Sequence, residues 1–507
     1  MGKGQKPSDD VYALIALIAI IAAGLLLAYL FYSGPFVLFD DTAYITYAHQ
    51  MLNGKFMITG DYFTFSLCVI LPLALLFKVL GYSIIAAIIP TISEFVLLVV
   101  FVFMAGRELQ GNKLAALAAL FAATSPIAVL YATRILPDIL VGMLVAAAFY
   151  ALIKAQKKAS KGMYLLSGIL IGVTPLARSD GFVLIAFYLF AMIVASIMHK
   201  KKAKVQMQKY ALLGIIVALA AYLAIFFAYT GNPIYGITDF SRVQSVISRS
   251  TLASNIHLLF NLLGPAVPIP PNPYTYLIGP VILFSMIGSA LALAKRNALS
   301  LLAIFNISIF FYYLLGTVSI FSYSPFILDS RYLAVLLMPM SVMAAYLIIE
   351  IYENAKHISR PYAFLGAAAL VLAVTSLYVQ AYAPNYSYNA GIKNETLLYE
   401  SMLGYINSIQ KANTTVYIIG DVPPLQAGYI NFLAGYGRIS AIPVGTGSIC
   451  TYSDNSFLAV ITLGPSIYVP QNIKSAYDWS NANCKLQLLR NFTIGGHNAL
   501  LYKVEKG

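Results

Sequence analysis

What most constrains this chain is a series of apolar runs, each about as long as a bilayer is thick, separated by short polar connections. A helix rises about 1.5 Å per residue, so roughly 20 apolar residues cross a hydrocarbon layer of about 30 Å. Such runs fall at residues 11–32, 82–105, 114–130, 138–154, 163–176, 181–198, 210–230, 276–294, 298–320, 332–352 and 361–380, which predicts about eleven transmembrane helices. The stretch 66–80 is apolar but short and is interrupted by Pro72; it reads as a re-entrant or interfacial piece. With 60% hydrophobic and 10% charged residues, and a mean hydropathy of +0.79, the chain is a polytopic membrane protein rather than a soluble one. The run at Val11–Tyr32 is long enough to span, so it reads as an anchor helix rather than a cleaved leader.

The net charge of +13 gives the spans a direction and calls for no nucleic acid. Basic residues gather in alternate connections: Lys3 and Lys6, then Arg107 and Lys113, then Lys154, Lys157, Lys158 and Lys161. Lys200, Lys201, Lys202, Lys204 and Lys209 follow, then Lys295 and Arg296, then Lys356 and Arg360. The positive-inside rule makes this set, and the N-terminus, cytoplasmic. The other connections, 33–81, 131–137, 177–180, 231–275 and 321–331, face outward. An odd number of spans then puts residues 381–507 outside a cell membrane. The basic loops and the absence of a retention signal favour that membrane over the endoplasmic reticulum.

Two domains are expected, a transmembrane domain over 1–380 and a small mixed α/β domain over 381–507. In the second, Thr415–Ile419, Leu458–Thr462 and Leu500–Val504 read as strands and Asn394–Gln410 as a helix. Asn-x-Ser/Thr sequons at Asn385, Asn394, Asn413 and Asn491 fit an outside location, whereas the one at Asn306 lies inside a span. Cys450 and Cys484 could pair there; Cys68 lies in an apolar stretch. The connection 231–275 carries Arg242, Arg249 and the Pro-rich run 264–273, which favours a stiff, extended segment able to cover a site.

The chemistry-bearing residues collect on the outward side. Asp40 and Asp41 open an amphipathic helix in which Tyr44, Tyr47, Ala48, Met51 and Leu52 recur at helical spacing, and Asn53-Gly54 ends it. One acid suffices for a helix cap, so the pair leaves a second to explain. Arg134 and Asp138 follow in YATRILPD, Arg178 and Asp180 in TPLARSDG, and Asp329, Arg331 and Tyr332 in SPFILDSRYL. Each motif alone fits a local ion pair or a helix cap. The acid pair and three acid-plus-arginine connections on one face together suggest an outward cavity in which guanidiniums hold a phosphate bidentately. Of the five histidines, His49 falls on the exposed side of the first-loop helix, and none has metal-ligand spacing. Asp41 and Asp138 are compatible with a divalent cation, but no spacing requires one. No phosphate-binding loop, dinucleotide fingerprint or Ser-His-Asp signature is present.

These residues carry a resemblance. FDDTAYITYAHQML is similar to the first outer loop of the GT-C superfamily of membrane glycosyltransferases, above all the protein O-mannosyltransferase and aminoarabinose-transferase group. RILPD resembles that group's second outer-loop acid, GILIGVTPLARSDG its Gly-rich helix ending in arginine, and DSRYLAVLLMPM its late Arg-Tyr-Leu motif. The likeness spans about residues 11–352. The group's Lys-Pro-Pro element is missing from DYFTFSLCVILPL, and the Trp-Trp-Asp-Tyr-Gly motif of oligosaccharyltransferases is absent; the single tryptophan is Trp479. The resemblance implies a GT-C fold and a polyprenyl-phosphate-linked sugar donor. It also implies a protein, lipid or glycan acceptor and inverting transfer. In that frame Asp40 is the base, and Asp41 and Asp138 orient the acceptor or a metal ion. Arg134, Arg178 and Arg331 hold the lipid phosphate, with Arg178 and Arg331 the preferred pair. Tyr44, Asp180, Asp329 and Tyr332 contact sugar or acceptor. The alternative is a transporter or flippase of lipid-linked glycans, which would need Glu94, the ionisable group deep within a span; the sequence shows no two-fold repeat of the kind transporters carry. A third reading, an inactive scaffold or receptor with an outer binding domain, would not require the acid–arginine set.

Overall fold

The structure is a computed structural model that describes residues 9–31, 40–58, 61–199, 202–238, 281–317, 330–357, 359–410, 413–420, 423–435, 439–443, 456–462, 485–494 and 497–505. The Pro-rich run 264–273, Arg242, Arg249, Asp329, Cys450, Cys484 and Trp479 lie outside those residues.

The helices run in chain order as α1 (Asp9–Leu30), α2 (Asp40–Leu52), α3 (Leu67–Leu80), α4 (Ile84–Gln110), α5 (Asn112–Thr124) and α6 (Pro126–Tyr131). Next come α7 (Pro137–Lys158), α8 (Lys161–Gly172), α9 (Thr174–Ala177), α10 (Gly181–His199) and α11 (Lys202–Thr230). The last are α12 (Val281–Lys295), α13 (Ser300–Leu315), α14 (Leu337–Ala355), α15 (Arg360–Ile409) and α16 (Pro423–Leu433). Among the described residues, six helices are long and apolar enough to cross a membrane: Asp9–Leu30, Ile84–Gln110, Pro137–Lys158, Gly181–Met198, Gln206–Thr230 and Arg331–Ala355. Shorter apolar helices stand where the other five spans are expected: Asn112–Thr124, Lys161–Ala177, Val281–Lys295, Ser300–Leu315 and Arg360–Leu372.

Two expected spans are broken, for the same reason. A proline lacks the N–H for the helical ladder and clashes with the turn before it. Pro126 ends the third span at Ser125 and starts a new turn as its first residue. Pro175 does the same beyond Val173. Pro72 is accommodated inside α3, whose 14 residues reach about 21 Å and so fall short of a crossing.

The chain forms two compact units. The first comprises Met1–Phe31, Met57–Val69 and Thr91–Asn385. At one end of this bundle, ion pairs tie helix termini together: Arg107 to Asp10, Lys157 to Glu108 at 3.2 Å, Lys113 to Glu353 at 3.5 Å, and Lys295 to Glu350. Such exposed pairs are worth about 0–1 kcal/mol each, so they report which ends lie together rather than what stabilises the bundle. The ends of α4, α7, α12 and α14 and the starts of α1 and α5 therefore share one face, the alternation that the basic clusters call for.

The second unit comprises Tyr32–Phe56, Ile70–Pro90 and Tyr386–Gly507. Its sheet has the order β2-β1-β3-β5-β4, with β1 (Thr414–Gly420) parallel to β2 (Ile439–Pro443) and to β3 (Ser456–Thr462). β5 (His497–Glu505) is antiparallel to β3 and to β4 (Lys485–Ile494). The strands expected at 415–419, 458–462 and 500–504 are β1, β3 and β5. The helix expected over 394–410 is the end of α15. Helix α16 packs on α2 as well as on β1 and β2.

Candidate active site

The acid pair occupies the first turn of α2, where the helix dipole favours negative charge. Asp41 is buried and Asp40 is partly exposed. The buried stripe of α2 runs through Asp41, Thr42, Tyr44, Ile45 and Ala48. Tyr47, Met51 and Leu52, expected on that stripe, are only half-buried; Tyr47 meets the Phe56 ring edge-on at 6.2 Å. The helix thus turns its hidden face toward Asp41 and leaves Asp40 beside it. Its C-terminus closes as foreseen. Gly54 takes φ +66°, Gly54 N–H donates to Met51 C=O at 3.2 Å and Lys55 N–H to Gln50 C=O at 2.9 Å.

His49, expected to be exposed, is instead half-buried, with Nδ1 2.6 Å from the Tyr82 hydroxyl. Burial, and then the charge of Lys55, push its pKa below the usual histidine value. The neutral ring joins α2 to the turn before α4. Phe77 adds to the same join, packing on Tyr82 at 5.1 Å and on Phe432 of α16 at 5.8 Å.

In the first unit, three of the sequence motifs converge on one network. Arg178 follows the short α9 in extended conformation, and Gly181 behind it has no side chain to collide with the Thr174–Pro175 backbone. The Arg178 guanidinium donates from Nε and Nη2 to the two Asp180 oxygens at 2.7 Å each, from Nη1 to Asp138 at 2.6 Å, and from Nη2 to the Tyr313 hydroxyl at 3.3 Å. Tyr313 in turn donates to Asp180 at 2.6 Å. Asp138 and Asp180 are almost wholly buried. Burial alone would lower the Arg178 pKa, but Asp180, Tyr313 and Asp138 outweigh it and hold it well above the ordinary arginine value.

Tyr332 extends this network. Its ring lies 5.0 Å from the Arg178 guanidinium and 5.5 Å from that of Arg331, and runs nearly parallel to the Tyr313 ring at 6.1 Å. Arg134 is buried four residues before Asp138, over the Tyr131 ring at 5.5 Å. The structure therefore brings Asp138, Arg178, Asp180, Arg331 and Tyr332 together, with Arg134 carried just ahead of Asp138 and Tyr313 as an unforeseen member. Tyr313 is one of 37 tyrosines and sits beside Tyr312 in a uniformly apolar run, so the sequence held no signal for it. Asp40, Asp41 and Tyr44 belong to the other unit, and Asp329 lies outside the described residues. Among the described residues no group of three or more His, Cys, Asp or Glu side chains gathers to hold a metal ion.

Residues 67–226 match the family model for dolichyl-phosphate-mannose-protein mannosyltransferases. No curated protein matches the chain. Among solved structures the chain is similar to ArnT from Cupriavidus metallidurans bound to undecaprenyl phosphate, with TM-score 0.63 and 11% identity over 96% of this chain and 97% of that one. The apo state of the same ArnT gives TM-score 0.56 at 12% identity over the same shares. The Archaeoglobus fulgidus oligosaccharyltransferase tethered with an acceptor peptide gives TM-score 0.52 at 12% identity, over 86% of this chain and 64% of that one. The oligosaccharyltransferases were set apart in sequence for want of their tryptophan-rich motif, yet they share the fold. The family match covers residues 67–226, and the fold is shared with ArnT along nearly the whole chain and with the oligosaccharyltransferase along most of it.

Proposed function

We propose that this chain transfers a sugar from a polyprenyl-phosphate donor to an acceptor at the outer face of a cell membrane, with inversion and with Asp40 as base. The observation that carries this is the acid pair on α2, one carboxylate buried and one partly exposed, in a chain with the fold of ArnT. The bound undecaprenyl phosphate of that ArnT structure supports a lipid phosphate as the leaving group here. The acceptor is a hydroxyl or amine on a protein, lipid or glycan.

The chemistry follows from the groups available. Asp40 takes the acceptor proton as the acceptor heteroatom bonds to the anomeric carbon. The anomeric carbon–oxygen bond breaks and its electron pair leaves on the phosphate. A guanidinium facing that phosphate stabilises the developing charge. Arg331, with Arg134, takes this part. Arg178 is committed to Asp138 and Asp180 and holds both carboxylates in place. Asp41 and Tyr44, buried on α2, set the direction of Asp40.

The test is transfer from labelled polyprenyl-phosphate sugars by the purified protein, with a membrane extract as acceptor. Wild type should move label, and Asp40→Asn should not, at an unchanged melting temperature. Full turnover by Asp40→Asn would sink the base assignment. The flippase reading has one observation of its own: Glu94 is buried within α4, and its Oε2 makes no hydrogen bond among the described residues. Glu94→Gln should leave transfer intact. Lipid-linked substrate crossing liposomes without transfer, blocked by that change, would favour the flippase.

A further inference from the structure

Asn306, Asn385, Asn394, Asn413 and Asn491 each open an Asn-x-Ser/Thr sequon, and the structure separates them. Attachment of a glycan needs the asparagine amide and the hydroxyl two residues on to be open to a second enzyme at the surface. Asn306 is wholly buried, and its Nδ2 donates to Ser289 Oγ of α12 at 3.1 Å. Asn394 sits within α15, and the hydroxyl it needs, that of Thr396, is buried in a 2.7 Å hydrogen bond with Tyr429. Asn413 is exposed, but Thr415 is half-buried in β1, a strand paired on both sides. The side chain of Asn385 lies outside those described.

Asn491 alone meets both requirements among the described side chains. It and Thr493 are exposed, and Phe492 between them is buried. Side chains alternate across a strand, so the amide and the hydroxyl stand on one open face of β4. Thr493 Oγ1 donates to Asn498 Oδ1 of β5 at 2.8 Å, also at the surface, so the hydroxyl is not locked into the core. The strand has its own use for a bulky polar group. β4 ends the order β2-β1-β3-β5-β4, so among the described residues it is paired on one side only, and Leu488 on it is 53% exposed. An open edge strand with an exposed leucine is a template for pairing with a second chain. A glycan three residues further along the same strand covers that edge.

We propose that Asn491 carries an N-linked glycan. Its donor is an oligosaccharide held on a polyprenyl carrier through phosphate, and the enzyme is a separate membrane oligosaccharyltransferase that takes this chain as acceptor. Asn491 Nδ2 bonds to the anomeric carbon of the first sugar. The bond from that carbon to the carrier's phosphate oxygen breaks, and its electron pair leaves on the phosphate. The amide gives up one proton to a base of the modifying enzyme. The proposal rests on the outward placement of residues 381–507 in the reading given above and needs no role for Asp40.

The experiment is glycopeptide mass spectrometry on the full-length protein purified from the membranes of its own host, with gel mobility before and after chemical deglycosylation. Wild-type peptides spanning Asn491 should carry a sugar mass, and those spanning Asn306 and Asn394 none. Asn491→Gln and Thr493→Val should each lose the mobility shift of this site, Thr493→Ser should keep it, and Asn394→Gln should leave it unchanged. The wild-type peptides decide the site even where a variant fails to accumulate. A bare Asn491, a glycan on Asn394 in its place, or a shift that survives Thr493→Val would each overturn the proposal. A bare Asn491 in a chain whose Asn413→Cys variant is labelled from outside intact cells would overturn the proposal and leave the outward reading standing. A glycan on Asn491, with no sugar transfer by wild type, would overturn the transfer reading and leave this site standing.

Discussion

Arg178 makes four hydrogen bonds with its five N–H groups, three to the carboxylates of Asp138 and Asp180 and one to Tyr313. Its side chain is 11% exposed and those of its two acids 4% or less. Removing one partner of a buried pair strands the other, at a cost of about 3–5 kcal/mol. Arg178→Ala should therefore lower the melting temperature in detergent sharply or abolish folded yield. Arg331→Ala should melt near wild type, raise the donor KM by tenfold or more and leave the acceptor KM alone. If Arg178→Ala melts normally and loses donor use alone, the phosphate role given to it by sequence stands instead. The motif Arg-Ser-Asp was legible as a local pair because both charges sit within three residues. That Asp138, forty residues earlier, shares the same guanidinium was not, because a sequence does not show which connections meet. The buried face of α2 was also misjudged, and for a physical reason. Tyr47 and Met51 are apolar enough to hide, but burial was assigned by packing, which took Ile45 and even Asp41 first.

Among the elements, the spans were legible because apolar length is a demand of the bilayer itself. Their internal breaks at Pro126 and Pro175 were not foreseen, and the interruption expected at Pro72 is absent because that proline is accommodated inside α3. In the α/β domain, β2 has only five residues, β4 carries an irregular register between Leu488 and Arg490, and α16 opens on two prolines. All three fall below what periodicity resolves. Close helix contacts are equally invisible in sequence. Helix α8 packs on α11 through Gly168 and Gly214, and a Cβ on Gly168 would overlap the Ala211 carbonyl, while one on Gly214 would overlap that of Leu165. Gly162, in the same helix, meets nothing. Gly168→Ala should thus destabilise by about 1–3 kcal/mol through overpacking. Gly162→Ala should be neutral or gain a few tenths of a kcal/mol, up to about 1, from helix propensity. Thermal melts of the two variants side by side check this. Equal melting temperatures would mean the two helices separate at no cost.

At the scale of the molecule, the first unit is two-ended. One end joins helix termini by pairing Arg107, Lys113, Lys157 and Lys295 with Asp10, Glu353, Glu108 and Glu350. The acid–arginine network of Asp138, Arg178 and Asp180 lies where α7 and α10 begin, for α7 at the terminus opposite Lys157. A membrane orients a chain by its short basic loops, because moving Lys and Arg across the bilayer is disfavoured. The basic end is therefore expected inside, and the network, with the domain after residue 381, outside. Two exposed positions separate the possibilities: Lys158 at the basic end and Asn413 just before β1. In a background with Cys68, Cys450 and Cys484 replaced by serine, Asn413→Cys should react with a membrane-impermeant maleimide on intact cells. Lys158→Cys should react only after permeabilisation. The reverse pattern would invert the chain, place the acid pair at the cytoplasmic face and remove any need for a lipid carrier that delivers sugar outside. Labelling of both from outside would mean that the number of crossings between them is even, and that one of the short apolar helices lies along the membrane instead of through it.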